Sequence, residues 1–181
     1  MKLHALQAWL DELLEPAGFQ DYCPNGLQVE GGADVTTVVT GVSASQALFE
    51  AALSKGAQAI IVHHGLFWKN QWPLQVRGAM RLRLKLLLAN DVSLFGYHLP
   101  LDAHVEVGNN AQLALRIGLE QTRPFGPHSG RMIGISGSLP APLSPERLAD
   151  HLGQVLGARP ALFGGERGPI RTLGIISGGA G

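Results

Sequence analysis

The chain has 181 residues, and with 45% hydrophobic side chains it can form one sizeable core or two closely packed lobes. Basic and acidic residues number 14 each, and the resulting net charge of zero argues against the broad electrostatic surface that nucleic acids or anionic membranes require. The sequence shows neither the roughly 18 apolar residues of a membrane span nor a secretory signal, so we expect a cytoplasmic protein.

The predicted elements alternate between helix and strand along residues 1–120. Leucines at helical spacing after Leu3 predict an amphipathic helix that ends at Pro16. The polar stretch that follows holds the single cysteine, Cys23, and the lack of a disulfide partner favours a reducing compartment. Short apolar runs rich in β-branched residues then predict buried strands. The predicted strands are 35–42, 59–62 and 92–97, and the predicted helices are 46–54, 79–89 and 111–117, with Ser43, Ser45, Asn109 and Asn110 as caps and Gly118 as a helix end.

This alternation favours an α/β fold with a largely parallel sheet flanked by helices, because right-handed crossovers return each helix to a face of the sheet. We predict a first α/β lobe at residues 1–120 and the start of a second lobe at residues 121–181. Prolines and a glycine interrupt residues 124–127, and the elements predicted after them are a strand at 132–139, a helix at 145–156 and a strand at 172–177. The glycines at 178, 179 and 181 form a turn of the kind that precedes a helix, so we expect the second lobe to be incomplete.

Two groups of metal-binding side chains follow predicted strands. His63 and His64 come directly after the second strand, and His98 with Asp102 follows the third. In open α/β sheets, ligands bind at the carboxyl ends of the strands, so we expect both groups to meet at one edge. Imidazoles with a carboxylate suit zinc, manganese, iron or nickel. Adjacent side chains of a strand point in different directions, which favours two ions that share a bridging Asp102 carboxylate.

Both groups also have an ordinary structural interpretation. His63 and His64 would then be strand-end residues that are hydrogen-bonded to backbone. His98 and Asp102 would frame a turn, because Pro100 excludes a regular helix between them and a carboxylate accepts backbone N–H groups. Spacing alone leaves these alternatives open.

Longer motifs carry a family resemblance. Residues 62–69, Val-His-His-Gly-Leu-Phe-Trp-Lys, and residues 98–104, His-Leu-Pro-Leu-Asp-Ala-His, resemble the Nif-three-like family of dinuclear metal proteins, whose members are often called GTP cyclohydrolase I type 2 homologs. The Gly-Asn-Asn at 108–110 and the Asn-Gly-Leu-Gln-Val at 25–29 match as well. The resemblance implies that His63, His64 and Asp102 bind metal, with Asp102 as the bridge, and that His98 lies in or beside the site.

The family takes its remaining ligands from a histidine and a glutamate four residues later near its C-terminus. No glutamate stands four residues after His128 or His151. We therefore expect the chain to be C-terminally truncated and to hold an incomplete dinuclear set with weakened metal affinity. The resemblance also implies a ring-like homo-oligomer, commonly a hexamer.

The leading functional hypothesis is a metal-dependent hydrolase of cyclohydrolase or phosphoesterase type that acts on a nucleotide or another phosphoester, in which two divalent ions activate water. No residue is identified as a separate general base. The aromatic loop at 66–72 contains Phe67, Trp68 and Trp72. It fits stacking on a base or covering a pocket, and it fits equally well packing against a neighbouring subunit or the core. The alternative hypothesis is a non-catalytic metal-binding or regulatory interaction protein that uses this loop as a partner surface.

Overall fold

The computed structural model describes residues 1–71, 73–164 and 168–178. The chain forms two compact units, Met1–Leu101 and Asp102–Gly181. The first unit contains α1 (Leu3–Leu14), β1 (Gly26–Val29), β2 (Val38–Ser43), α2 (Gln46–Ser54), β3 (Ala59–His64), α3 (Gly78–Ala89) and β4 (Ser93–Gly96). A short helix, α4 (Leu99–Ala103), includes the point of division, and the second unit continues with α5 (Asn109–Ile117), β5 (Glu120–His128), β6 (Arg131–Leu143), α6 (Pro145–Leu156) and β7 (Ile170–Ile175). None of these helices is long and apolar enough to cross a membrane.

A four-stranded sheet in the order β1-β4-β3-β2 organises the first unit. β2, β3 and β4 are parallel to one another, and β1 pairs with β4 in the antiparallel direction. The predicted α/β class with a largely parallel sheet is therefore confirmed here. β1 was missed because four residues inside a polar, glycine-rich stretch are too few to show a strand period.

Helices cover both faces of this sheet because the strands are apolar on both sides. On one face, Ile60 and Leu94 pack with Phe49 of α2 and Leu87 of α3, and all four are almost fully buried. On the other face, alternate strand residues pack against the leucines of α1. Full burial of each such side chain stabilises the fold by about 1.5–3 kcal/mol.

The second unit has a three-stranded antiparallel sheet in the order β5-β6-β7, with a core shared by α5 and α6. The sequence predicted β6, α6 and β7 but not β5, because Pro124 and Pro127 interrupt it. β5 lies at the edge of its sheet, and an edge strand tolerates a residue that has no N–H to donate.

The predicted helix ends are confirmed in part. Ser45 caps α2 by accepting the N–H of Leu48 at 3.1 Å, and Gly118 ends α5 in the left-handed conformation with φ of 80°. Asn109 and Asn110 are not caps but lie in the first turn of α5, after the cap residue Gly108.

Pro100 does not exclude a helix either. It stands in the first turn of α4, where an N–H would have no partner within the helix, so the missing donor costs nothing.

Candidate metal centre

The topology of the first sheet brings three chain segments to one edge. β3 ends on His63 and His64, and the parallel strand beside it ends two residues before His98. Parallel strands present their carboxyl ends at the same edge. β1 is antiparallel to β4 and pairs Gly26 with Gly96, so the loop that precedes β1 reaches this edge as well.

Three imidazole rings form a cluster there. The ring centroids of His63 and His64 lie 4.5 Å apart, those of His63 and His98 4.8 Å, and those of His64 and His98 5.7 Å. One ligand nitrogen from each ring lies within 4.8 Å of the other two. Within a regular strand, adjacent side chains diverge, but the rings of His63 and His64 come together at the end of β3, where the chain leaves the sheet at Gly65.

Ser43 contacts one nitrogen of His64. Its Oγ lies 2.9 Å from Nδ1 of His64, because the parallel pairing of β2 with β3 places the two residues side by side. A hydroxyl both donates and accepts, so this contact suits either tautomer of the imidazole. Ser43 was predicted as a cap of α2, and that prediction is wrong, because its hydroxyl is used at this edge of the sheet.

His98 makes more hydrogen-bonding contacts than the single contact described for His64. Its Nδ1 lies 2.7 Å from Oδ1 of Asp21, and its backbone N–H donates to Oδ1 of Asn25 at 2.7 Å. Asn25 Nδ2 donates in turn to the other oxygen of Asp21 at 2.9 Å, and the N–H of Leu99 donates to that oxygen at 2.9 Å. The loop before β1 therefore fixes both the backbone and the ring of His98.

The surroundings of Asp21 and Cys23 shift their pKa values in opposite directions. Burial acts to raise the pKa of Asp21, but hydrogen bonds from His98, Asn25 and Leu99 outweigh it, and the pKa lies well below its usual range. Burial raises the pKa of the Cys23 thiol to about 12, and the negative charge of Asp21 adds to this effect. Asp21 is thus a carboxylate at neutral pH, whereas Cys23 is a neutral thiol.

Trp68 packs beside the imidazoles. Its ring centroid lies 5.2 Å from that of His98, with the two planes at 80°, and 6.0 Å from that of His64. Its indole N–H donates to the carbonyl of Gly65 at 3.2 Å. Trp68 therefore packs against the imidazoles and is anchored by a hydrogen bond to Gly65, while Trp72, the last aromatic residue of the predicted loop, lies outside the described residues.

Gln28 connects the loop before β1 to the loop after β3 by hydrogen bonds. Its Oε1 accepts the N–H of Leu66 at 2.8 Å, and its Nε2 donates to the carbonyl of Pro24 at 2.7 Å. The side chain passes Gly65 and Gly96 so closely that a methyl group at either glycine would collide with it. These contacts give a physical role to the glutamine of the motif at residues 25–29.

Asp102 is buried in the second unit, where its carboxylate is hydrogen-bonded. Oδ1 accepts from Nδ2 of Asn109 at 2.8 Å and from Oγ of Ser177 at 2.7 Å. The side chain of Asn110 is almost fully buried, donates to the carbonyl of Asp102 at 3.1 Å and accepts the N–H of Ser177 at 2.7 Å. Asn109 and Asn110 of the Gly-Asn-Asn motif thus hold Asp102, while Gly108 is the cap residue of α5.

Of the predicted site residues, the structure brings His63, His64 and His98 together within the first unit, and it places Asp102 at the start of the second unit. The sequence analysis missed the supporting residues Asp21, Ser43 and Gln28. The Asn-Gly-Leu-Gln-Val motif at residues 25–29 was the signal that pointed to β1 and the loop before it. The predicted glycine turn at the C-terminus lies for the most part outside the described residues, since only Gly178 of its glycines is described.

The donor set fits a transition-metal ion. Histidine nitrogens bind zinc at about 2.0–2.1 Å, so two nitrogens on one tetrahedral ion lie roughly 3.4 Å apart. Nitrogens within 4.8 Å of one another reach one ion after small ring rotations, or hold two neighbouring ions. Imidazole ligands favour zinc, iron, copper or nickel over calcium or magnesium.

The fold and the cluster define an α/β protein with a candidate metal centre at the carboxyl edge of a parallel sheet. The Duf34/NIF3 (NGG1p interacting factor 3) family model matches residues 1–181, and the chain belongs to this family. It is 49% identical over 170 residues to the GTP cyclohydrolase 1 type 2 homolog of Pseudomonas aeruginosa, and the matched region covers 94% of this chain and 67% of the relative. It is 48% identical over 184 residues to the protein of the same name from Escherichia coli K12, covering 99% of this chain and 70% of the relative.

Solved structures show the same fold. The protein ybgI, a structural genomics target of unknown function, has a TM-score of 0.87 and 44% identity to this chain, with 99% of this chain and 71% of that chain covered. These comparisons confirm the predicted family. The metal binding and the reaction at the site are tested by the experiments proposed below.

Proposed function

We propose that this chain binds divalent metal through His63, His64 and His98 and uses it for hydrolysis. The observation that supports this proposal is the imidazole cluster, which gathers three nitrogen donors within 4.8 Å of one another at the edge where α/β proteins bind ligands. Asp102 stays a predicted ligand on the strength of the sequence resemblance, and so does its role as a bridge between two ions.

The first task of the chain's own residues is to hold the donors in place. Ser43 and Asp21 each contact an Nδ1 atom, on His64 and His98 respectively, and we assign Nε2 of the same rings to metal. Second partners of this kind fix ring orientation and raise the basicity of ligating histidines. Trp68 packs against two of the rings and limits their rotation.

A bound divalent ion would supply Lewis acidity, activating water for attack and stabilising the charge that develops on a carbonyl or phosphoryl oxygen. The name of the relatives, GTP cyclohydrolase 1 type 2 homolog, makes GTP one candidate substrate. A dinuclear centre is equally suited to phosphoesters. We therefore propose a nucleotide or another phosphoester as the substrate class, and zinc, manganese, iron or nickel as the metal.

Metal content tests the first part of the proposal. The wild-type chain, His64→Ala, His98→Ala and Asp102→Ala would each be loaded with Zn²⁺ or Mn²⁺, desalted and measured by elemental mass spectrometry. His4→Ala is the matched control, because His4 is exposed on α1, outside the described cluster. We expect metal in the wild type and in His4→Ala and a loss in the site variants, and equal metal content in all five proteins would refute the site.

Turnover tests the second part. Metal-loaded wild type would be incubated with GTP and with bis(p-nitrophenyl) phosphate, beside His64→Ala and the His4→Ala control. Hydrolysis that needs both metal and His64 supports the hydrolase. Metal binding with no turnover of either compound would favour the alternative, a non-catalytic metal-binding or regulatory protein.

The family resemblance also leads us to propose a homo-oligomer, with a hexamer as the first candidate. Light scattering coupled to size exclusion measures its mass directly, and a monomer at micromolar concentration would contradict this proposal.

A further inference from the structure

Asp21 lies next to the candidate metal centre, at a distance of 77 residues from His98 in the sequence. Its side chain is 2% exposed, and Oδ1 lies 2.7 Å from Nδ1 of His98. Backbone N–H groups donate to both oxygens of Asp21, from Tyr22 and Cys23 to Oδ1 and from Leu99 to Oδ2, so the side chain acts as an acceptor at each oxygen. An acceptor at 2.7 Å favours a proton on the facing Nδ1 of His98, and Nε2 is then the ring nitrogen that can bind a metal.

We propose that Asp21 is a positioning residue that keeps the proton of His98 on Nδ1 and so reserves Nε2 for a divalent ion bound with His63 and His64. This inference rests on the proposed metal function. It adds a carboxylate–histidine pair to the site, an arrangement that orients the ring and raises the basicity of the ligating nitrogen.

The same residues could instead form a second metal site, because Asp21, Cys23 and His98 also bring ligand atoms within 4.8 Å of one another. The hydrogen bonds of Asp21 argue against that interpretation. Oδ1 accepts from Nδ1 of His98 and from the N–H groups of Tyr22 and Cys23, while Oδ2 accepts from Asn25 and from the N–H of Leu99. A carboxylate has about four acceptor sites, and five donors already surround this one.

Anchoring of the loop before β1 is the rival explanation, since four of the five donors belong to backbone or to Asn25. A purely structural role would make Asp21→Asn less stable but would leave the metal affinity of the folded protein unchanged. The positioning role predicts a change in the ring of His98 itself. Two readouts are therefore needed, one of the tautomer and one of the affinity.

The first measurement uses the metal-free wild type. Two-dimensional ¹H–¹⁵N spectra that correlate ring protons with ring nitrogens distinguish an imidazole protonated at Nδ1 from one protonated at Nε2, and His98→Ala assigns the signals. We expect the Nδ1–H form for His98. An Nε2–H form in the wild type would overturn the proposal, whether or not any variant folds.

The second measurement is the Kd for Zn²⁺ by competition with a chelator, for wild type, Asp21→Asn and Asp34→Asn. Asp34 is a matched control because it is an exposed aspartate of the same unit whose carboxylate pairs with Lys2. We expect Asp21→Asn to weaken binding by about 10- to 100-fold, as loss of such outer partners does, and Asp34→Asn to stay within about twofold. An unchanged Kd for folded Asp21→Asn would overturn the positioning role, whereas a wild type that binds no Zn²⁺ would overturn the proposed metal function instead.

Discussion

Substitution of Gly65 by alanine tests the packing between Gln28 and the edge of the sheet that carries the histidines. A Cβ at residue 65 would overlap the amide of Gln28, whose Cδ would lie only 2.6 Å away. Gln28 cannot move aside at no cost, because its hydrogen bonds to Leu66 and Pro24 fix both ends of the amide. We expect Gly65→Ala to lose about 2–4 kcal/mol of unfolding free energy, from overpacking and from the strain or loss of two hydrogen bonds.

A double variant, Gly65→Ala with Gln28→Ala, separates the collision between the new methyl group and Gln28 from any other effect of that methyl group. Gln28→Ala alone should cost about 2 kcal/mol for its two hydrogen bonds. Once that side chain is gone, the added methyl group has space, so Gly65→Ala combined with Gln28→Ala should be scarcely less stable than Gln28→Ala. Gly32→Ala is the control, because its Cβ would meet Asp91 at an ordinary 3.6 Å, and we expect a change within about 0.5 kcal/mol.

Urea unfolding followed by far-ultraviolet circular dichroism measures all four variants against the wild type. Strict additivity of the two single changes would refute the packing argument, because it would mean that Gln28 and residue 65 do not interact.

Three further predictions concern Cys23, Ser177 and Trp68. The thiol of Cys23 has a pKa of about 12 in the folded chain, against roughly 8.5 when unfolded, so unfolding releases a proton between these values and stability falls as pH rises. From pH 7 to 9.5 the wild type should lose roughly 1 kcal/mol more than Cys23→Ala in urea titrations, and parallel pH profiles would contradict the raised pKa. Ser177→Ala removes the 2.7 Å hydrogen bond to the Asp102 carboxylate and should cost about 1.5–3 kcal/mol in the same assay, with a change under about 0.5 kcal/mol as the opposing result. Mn²⁺ should quench more tryptophan fluorescence in the wild type than in Trp68→Phe, because Trp68 lies 5.2 Å from His98, and equal quenching would place the ion elsewhere.

Local sequence signals predicted most of the elements correctly. The bounds of α2 and α6 agree with the prediction, because apolar spacing and a capping serine define each helix without reference to distant residues. β5 was missed because its prolines are typical of a loop, and only its place at the edge of a sheet explains how they are tolerated.

The sequence by itself determined the α/β class of the first unit and the placement of His63, His64 and His98 after strands, since both follow from short-range periodicity. Only the tertiary structure decided that the three rings meet, because the parallel pairing of β3 with β4 sets their separation. It also decided that the carboxylate of Asp21 contacts the ring of His98. That contact joins residues 77 apart and depends on β1 running antiparallel to β4, a pairing for which a four-residue strand gives no local signal.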